Sequence, residues 1–185
     1  MLTYHRTTYP TDINIISIAS LKSFLKVDTT EDDALILALL STARAFVEDY
    51  TGVLCNNGQV DYYGESFSDF KFTAGPVKTL TSVHYKTDAT TYADLASTGY
   101  AFSSKSIPQR LAFYSPPTPY NKTLERVKVV TNTGYVESAV PPPLVQAMRL
   151  LCGHWYEQRT QVIVGTITAQ IPVGIHALLN PYRVL

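Results

Sequence analysis

The sequence has no charge excess, only two cysteines and no uninterrupted apolar run of membrane length, and each shortage narrows what the chain can be. Fifteen lysines and arginines balance fifteen aspartates and glutamates across 185 residues. No overall field therefore draws the subunit toward nucleic acid or an anionic membrane, and a dedicated DNA reader of this size would carry more base. Cys55 and Cys152 stand far apart and outside any paired metal spacing, which argues against a disulfide framework or a zinc ribbon and fits a reducing cytoplasm. The opening residues, Met1 to Thr11, mix His5 and Arg6 with tyrosine and threonine and hold no apolar h-region, so no secretion signal is expected. The most apolar run, Ala34 to Val47, is broken by Ser41, Thr42 and Arg44 and falls short of the roughly 20 apolar residues that span a bilayer. A chain in free solution is the expectation.

Motifs that carry chemistry are equally scarce. Asp28, Thr30 and Asp32 begin like a calcium loop, but the turn glycine is replaced by Asp33 and the closing glutamate by Leu39, so helix capping accounts for the acids and no metal is expected. Cys152 and His154 are two apart on a helix and point in different directions, while His5, His84 and His176 fall in unrelated segments. There is no G-x-S-x-G elbow, no supported S-x-x-K and no glycine-rich phosphate loop. Neither a cofactor nor catalysis is expected. The Asn121-Lys122-Thr123 triplet matches a glycosylation acceptor by chance, since no secretion signal accompanies it.

What is present is a change of period along the chain. Ser17 offers a helix cap before Ile18, Leu21 and Leu25, whose spacing puts them on one face, with an end near Val27. Thr30 as cap, with Glu31, Asp32 and Asp33 in the first turn, predicts a second helix that Gly52 stops. Along it Leu35, Leu39 and Phe46 flank a line of Ile36, Leu40, Ala43, Val47 and Tyr50, a wide apolar stripe that needs more than one neighbour. Ser41, Arg44, Glu48 and Thr51 form the remaining face, and Leu37 lies on the same side.

From Cys55 to Tyr135 short alternating stretches take over: Phe70–Phe72, Val77–Tyr85 after the Gly75-Pro76 turn, Leu111–Phe113 and Val127–Val129. They predict a small antiparallel β unit, from which the proline-rich loop Ser115 to Lys122 is excluded. Helical period returns at Pro141, Pro142 and Pro143, and Leu144, Met148, Leu151, Cys152 and Trp155 form an apolar face on a helix running to about Arg159. Met148 and Trp155 read as core anchors. Beyond Arg159 there is no charged residue until Arg183, while Ile175, Leu178 and Leu179 mark a short final helix. An apolar ending needs cover, from the chain's own core or from a partner, and composition leaves those two open.

The segment Ser20–Asp28, then Glu31–Ile36, then Ala45-Phe46-Val47-Glu48-Asp49-Tyr50-Thr51-Gly52, resembles the opening of phage head-tail connector proteins. The likeness continues in order through Pro76-Val77, Ser82-Val83-His84-Tyr85, Thr133-Gly134-Tyr135, Val140-Pro141, His154-Trp155-Tyr156-Glu157 with Arg159, Pro172-Val173-Gly174 and Leu178-Leu179-Asn180-Pro181-Tyr182-Arg183. It covers most of the chain from Ile18 onward, is weakest over 88–125, and leaves the first sixteen residues as an extension.

That resemblance implies an α+β fold: a helical bundle of two N-terminal helices and one long C-terminal helix, a β-rich antiparallel insertion, and an extended C-terminal arm ending in a short helix. The implied organisation is an extension at 1–16, the bundle at 17–54 and 136–160, the insertion at 55–135 and a docking arm at 161–185. The implied role is a structural virion protein, an adaptor forming a dodecameric ring under the portal. It would join the DNA-filled head to a tail-side stopper or terminator protein and let double-stranded DNA pass without sequence specificity. Assembly would take place in the host bacterial cytoplasm, and the finished protein would sit in the neck of the virion.

The resemblance implies that the carboxyl-terminal segment reaches the portal, with Pro172, Ile175, Leu178, Leu179, Tyr182, Arg183 and Leu185 as docking residues, and so favours a partner as the cover for the apolar ending. A ring needs two unlike sticky faces, and Leu37 and Arg44 on one helix with Arg149 and Tyr156 on another are the candidates. Lys71, Lys78, Lys86, Lys105, Arg110, Lys122, Arg126 and Lys128 make the β unit locally basic. Solvated strand faces explain them more simply than DNA in a lumen, because a basic lining would grip a polyanion rather than let it slide. The alternative function is a host-interaction or carbohydrate-binding module of a phage particle, suggested by the 13 tyrosines and the β unit.

Overall fold

The computed structural model describes residues 3–6, 15–68, 70–106, 108–136, 139–158 and 173–184. Within them the chain is α+β, with four α-helices and antiparallel sheets. The described residues divide into two compact units, one within Met1–Thr11, Asn56–Tyr135 and Val184–Leu185, the other within Asp12–Cys55 and Val136–Arg183.

The second unit holds all four helices. α1 (Ile18–Leu25) starts where the Ser17 hydroxyl accepts the Ser20 amide at 3.2 Å, and it stops at Lys26 in the left-handed region. α2 (Asp33–Thr51) ends at Gly52, whose φ of 72° is what a glycine cap supplies. Ile36, Leu40, Ala43 and Val47, spaced four, three and four, are buried, and Leu35, Leu39, Phe46 and Tyr50 flank them half-buried. α3 (Pro142–Glu157) packs on α1 and α2 through Leu144, Ala147, Met148, Leu151 and Cys152. α4 (Val173–Leu179) packs on α3 and α2.

Three helix expectations need correction. Asp32, not Thr30, occupies the cap position of α2 and makes no side-chain cap hydrogen bond. Its carboxylate and that of Asp33 are committed elsewhere, to Tyr156 and Lys22. Thr51, expected on the outer face, is buried, because its hydroxyl donates to the Val47 carbonyl at 2.6 Å and accepts the Val53 amide at 3.1 Å where the helix ends. Trp155 is only half-buried, whereas Met148 is fully enclosed. Arg159 lies outside the described residues.

The β-rich unit contains β1 (Thr3–Arg6), β2 (Gly58–Gly64), β3 (Phe70–Lys71), β4 (Val77–Lys86), β5 (Tyr92–Asp94), β6 (Tyr100–Ser103), β7 (Arg110–Phe113) and β8 (Val127–Thr133). Five form one sheet in the order β1-β2-β8-β4-β5, and three form another in the order β3-β7-β6. β8 lies in the middle of the larger sheet, where its valines and threonines suit a strand buried along most of its length. Tyr62 of β2 meets Phe72, just after β3, edge-on at 4.8 Å and its hydroxyl donates to the Ala74 carbonyl at 2.9 Å, while within the smaller sheet Phe70 stands against Phe113 at 5.6 Å.

β2 and β1 were not evident in the alternation of the sequence. β2 carries Asp61, which is buried and paired with Lys128 of β8 at 2.8 Å. β1 places part of the amino-terminal extension in the sheet, with Thr3 opposite Tyr63. Gly134, at φ 109°, follows β8 where a Cβ would come within 2.1 Å of the Asn56 carbonyl oxygen, so a side chain is excluded twice over.

Candidate interaction surfaces

The described residues contain no group of three or more histidines, cysteines or acids arranged to hold a metal ion, and no helix long and apolar enough to cross a membrane. Surfaces, rather than a pocket with converging reactive groups, are the features to weigh.

On α2, Leu37 is 39% exposed and Arg44 is half-buried. On α3 the two candidates are occupied within the chain. Arg149 donates to the Ser20 hydroxyl at 3.2 Å, and the Tyr156 hydroxyl donates to Asp32 at 2.5 Å. The structure thus leaves Leu37 as the clearest free apolar group of the four and uses Arg149 and Tyr156 to hold α3 against α1 and the start of α2.

At the carboxyl end, Ile175 and Leu179 are fully buried, and α4 packs on α3 and α2. These two, expected to face a partner, lie four apart on one face of α4 and are enclosed within the subunit by its own core. The segment is fastened further by Tyr50, whose hydroxyl donates to Asn180 at 2.7 Å and whose ring lies 5.0 Å from His176 and 5.3 Å from the Arg183 guanidinium. Leu178 and Tyr182 are half-buried and Arg183 is exposed; Pro172 and Leu185 lie outside the described residues.

The basic residues of the β unit do not form one open patch. Lys128 pairs with Asp61 and lies 5.8 Å from the Tyr63 ring centre. Lys78 sits over Tyr135, Lys86 donates to the Leu124 carbonyl at 3.0 Å, and Arg126 pairs with Glu65 at 3.5 Å. Lys71, Lys105, Arg110 and Lys122 are exposed, with Lys71 directly opposite Arg110 across β3 and β7. The hydrogen bond to Asp61 raises the Lys128 pKa above its ordinary value, against the opposing effect of burial.

One constellation was not anticipated. His84 Nε2 lies 2.7 Å from the Ser82 hydroxyl and Nδ1 lies 2.6 Å from Asp94, a serine-histidine-carboxylate series. Register makes it: Ser82 and His84 share a face of β4, and Asp94 of β5 stands opposite His84. The Asp94 side chain is 83% exposed, unlike the buried carboxylate that orients a catalytic histidine, and the trio acts as a clasp between β4 and the short edge strand. The two-residue spacing of Ser82 and His84 was visible beforehand, but nothing indicated that Asp94 would pair with them.

A family model for head completion proteins matches residues 14–185. A comparison with curated protein sequences finds no match. Among solved structures, a chain from the neck of an empty gene transfer agent particle computed with C6 symmetry is 22% identical, with a TM-score of 0.80 over 99% of this chain and 96% of that one. A chain from the virion of a native gene transfer agent particle is 22% identical, with a TM-score of 0.77 over 98% and 95%. A third, from the neck of the native particle computed with C12 symmetry, is 22% identical and reaches 0.72 over 99% and 96%. At this identity the likeness is one of fold.

Proposed function

The chain belongs to the head completion protein family, and on that premise we propose that it is a head-tail connector, an adaptor that forms a ring beneath the portal in the neck of the virion. The ring joins the DNA-filled head to the tail and lets DNA pass. The observation that carries this reading is the family match from residue 14 to residue 185. Likeness of fold to chains from gene transfer agent necks computed with C6 and C12 symmetry supports a closed ring of copies.

In this reading the helices act as a bundle carrying the β insertion, the portal lies on one side and a tail-side stopper or terminator protein on the other. The role is structural rather than catalytic. Docking to the portal falls to Leu178, Tyr182 and Arg183 of the carboxyl-terminal arm, because Ile175 and Leu179 serve the subunit's own core; Pro172 and Leu185, outside the described residues, belong to the same proposed set. Leu37 and Arg44 contribute to a contact between copies. Double-stranded DNA crosses the lumen without sequence-specific contacts, in keeping with a balanced charge and with half of the β unit's eight basic side chains tied to neighbouring groups.

Electron microscopy of the portal vertex in assembled particles is the direct test. Density for a ring of this chain between portal and tail is the expected result. A neck fully accounted for by other proteins would overturn the proposal.

A further inference from the structure

The loop before β8 holds an unusual arrangement. Leu124 is 73% exposed, more than any other large apolar side chain among the described residues. A lone exposed leucine is ordinary on a protein surface. Here, however, the backbone around it is clamped by four side chains from neighbouring parts of the β unit. Lys86 donates to the Leu124 carbonyl at 3.0 Å, Tyr92 to the Glu125 carbonyl at 2.6 Å, and Arg126 to the Thr123 carbonyl at 2.9 Å. The Glu65 carboxylate accepts the Glu125 amide at 3.2 Å. Glu125 itself adopts φ 55°, uncommon for a residue with a side chain. An apolar group held out by a backbone already fixed loses little freedom when it is covered, which is how an interface anchor is preorganised.

The helical unit carries an open cleft. This hollow of about 570 Å³ beside α1 has a mixed lining, with Ile18, Ala19 and Val27 among Ser23, Lys26, Asp28 and the Lys22–Asp33 ion pair, 2.7 Å long. That volume suits a small inserted group. The charges match as well. Around the knob the order along the chain is Lys122, Leu124, Glu125; at the hollow it is Lys26, Val27, Asp28. Laid antiparallel, each positive side chain meets a negative one, and all four are exposed. Such exposed pairs set direction and register more than strength.

Resting on the ring reading above, we propose that the Leu124 loop of one copy seats in the Ile18–Val27 cleft of the next copy. A cyclic ring requires two unlike surfaces on every subunit, and this pair provides one of each. The occupant is a second copy of this chain, and the charge order argues for it. A tail-side protein in the cleft, or one covering the loop, is a competing outcome.

The test is a benzophenone amino acid in place of Leu124 in the full chain, assembled into particles and irradiated. The expected adduct joins position 124 to a peptide within residues 18–33 of another copy and gives a ladder of multimers on a denaturing gel. An adduct to a different protein, an adduct elsewhere on the chain, or no adduct in particles that contain the variant would overturn the proposal. If the variant does not enter particles, the same probe at Lys122 is read by the same criteria. Leu124→Asp is expected to lower ring assembly at least tenfold with an unchanged unfolding midpoint; full assembly would also overturn it. Failure of the underlying function looks different, since the wild-type chain would then be missing from the neck.

Discussion

The Tyr156 hydroxyl donates to the Asp32 carboxylate at 2.5 Å, fastening the last turn of α3 to the residue that starts α2. The partners are far apart in sequence, so the bond closes the helical unit across the whole β insertion. A hydrogen bond to a charged group contributes about 2 kcal/mol. Tyr156→Phe is expected to lower unfolding stability by about that amount in a urea titration, with ring assembly retained. Lost assembly at unchanged stability would return Tyr156 to the contact between copies.

The Lys128–Asp61 pair makes a sharper prediction, because the Asp61 side chain is 2% exposed. Removing the lysine leaves a buried carboxylate whose remaining side-chain hydrogen-bond partner among the described residues is the Gln59 amide, at 3.1 Å. Lys128→Met should cost about 3 kcal/mol. Replacing both residues by apolar ones, Lys128→Met with Asp61→Leu, should recover much of that loss in the same equilibrium measurement. A Lys128→Met protein as stable as the parent would show that the pair does not hold β2 to β8.

Alkaline pH should weaken the fold for two reasons that act in the same direction. Burial pushes the Cys152 thiol from an ordinary value of 9.0 up to about 11, and the Asp61 hydrogen bond raises the Lys128 ammonium above 10.5. In each case the folded state keeps its proton longer than the unfolded state, so stability falls as pH rises past the unfolded value. The Cys152 contribution is complete below pH 9 and is lost between there and about 11. Denaturation midpoints measured from pH 8 to pH 11 should decline, and Cys152→Ala should remove roughly 1 kcal/mol of that decline. A flat profile would contradict both assignments.

The carboxyl terminus separates folding from docking. Leu179→Ala should cost about 3 kcal/mol, as enclosed leucines do. Deleting Gly174 to Leu185 removes Ile175 as well and should leave a subunit that unfolds at much lower denaturant. Arg183→Ala instead should change stability by less than about 1 kcal/mol while reducing attachment to filled heads. Head attachment and denaturation, measured on the same variants, distinguish the two roles, and unchanged attachment by Arg183→Ala would remove that residue from the docking surface.

Where the sequence was readable, the determining interactions were local. Ser17 and Gly52 mark helix ends because capping involves residues a few positions away, and Ile36, Leu40, Ala43 and Val47 show their buried face through spacing alone. β4 and β8 announce themselves by alternation and β-branched residues. β2 did not, because a strand containing Asp61 looks too polar for an interior until Lys128 is beside it. The acids before α2 were read as caps for the same reason: their partners Lys22 and Tyr156 come from other helices. Composition showed that the uncharged ending had to be covered, but only three-dimensional packing shows that α3 and α2 cover Ile175 and Leu179. The Leu124 loop lay in the stretch with the weakest family resemblance, and its fixed geometry depends on Glu65, Lys86, Tyr92 and Arg126, which no local pattern gathers.

The inserted segment of the β-rich unit, Asn56–Tyr135, begins and finishes on neighbouring strands, with Gly58 of β2 opposite Thr133 of β8 and Gly134 pressed against the Asn56 carbonyl. The two ends of that segment therefore lie side by side. Loops between those ends can be lengthened or trimmed during evolution, since the spacing of the two ends, set by the β2–β8 pairing, stays the same. Particles with different tails could in this way keep one helical frame and vary those loops.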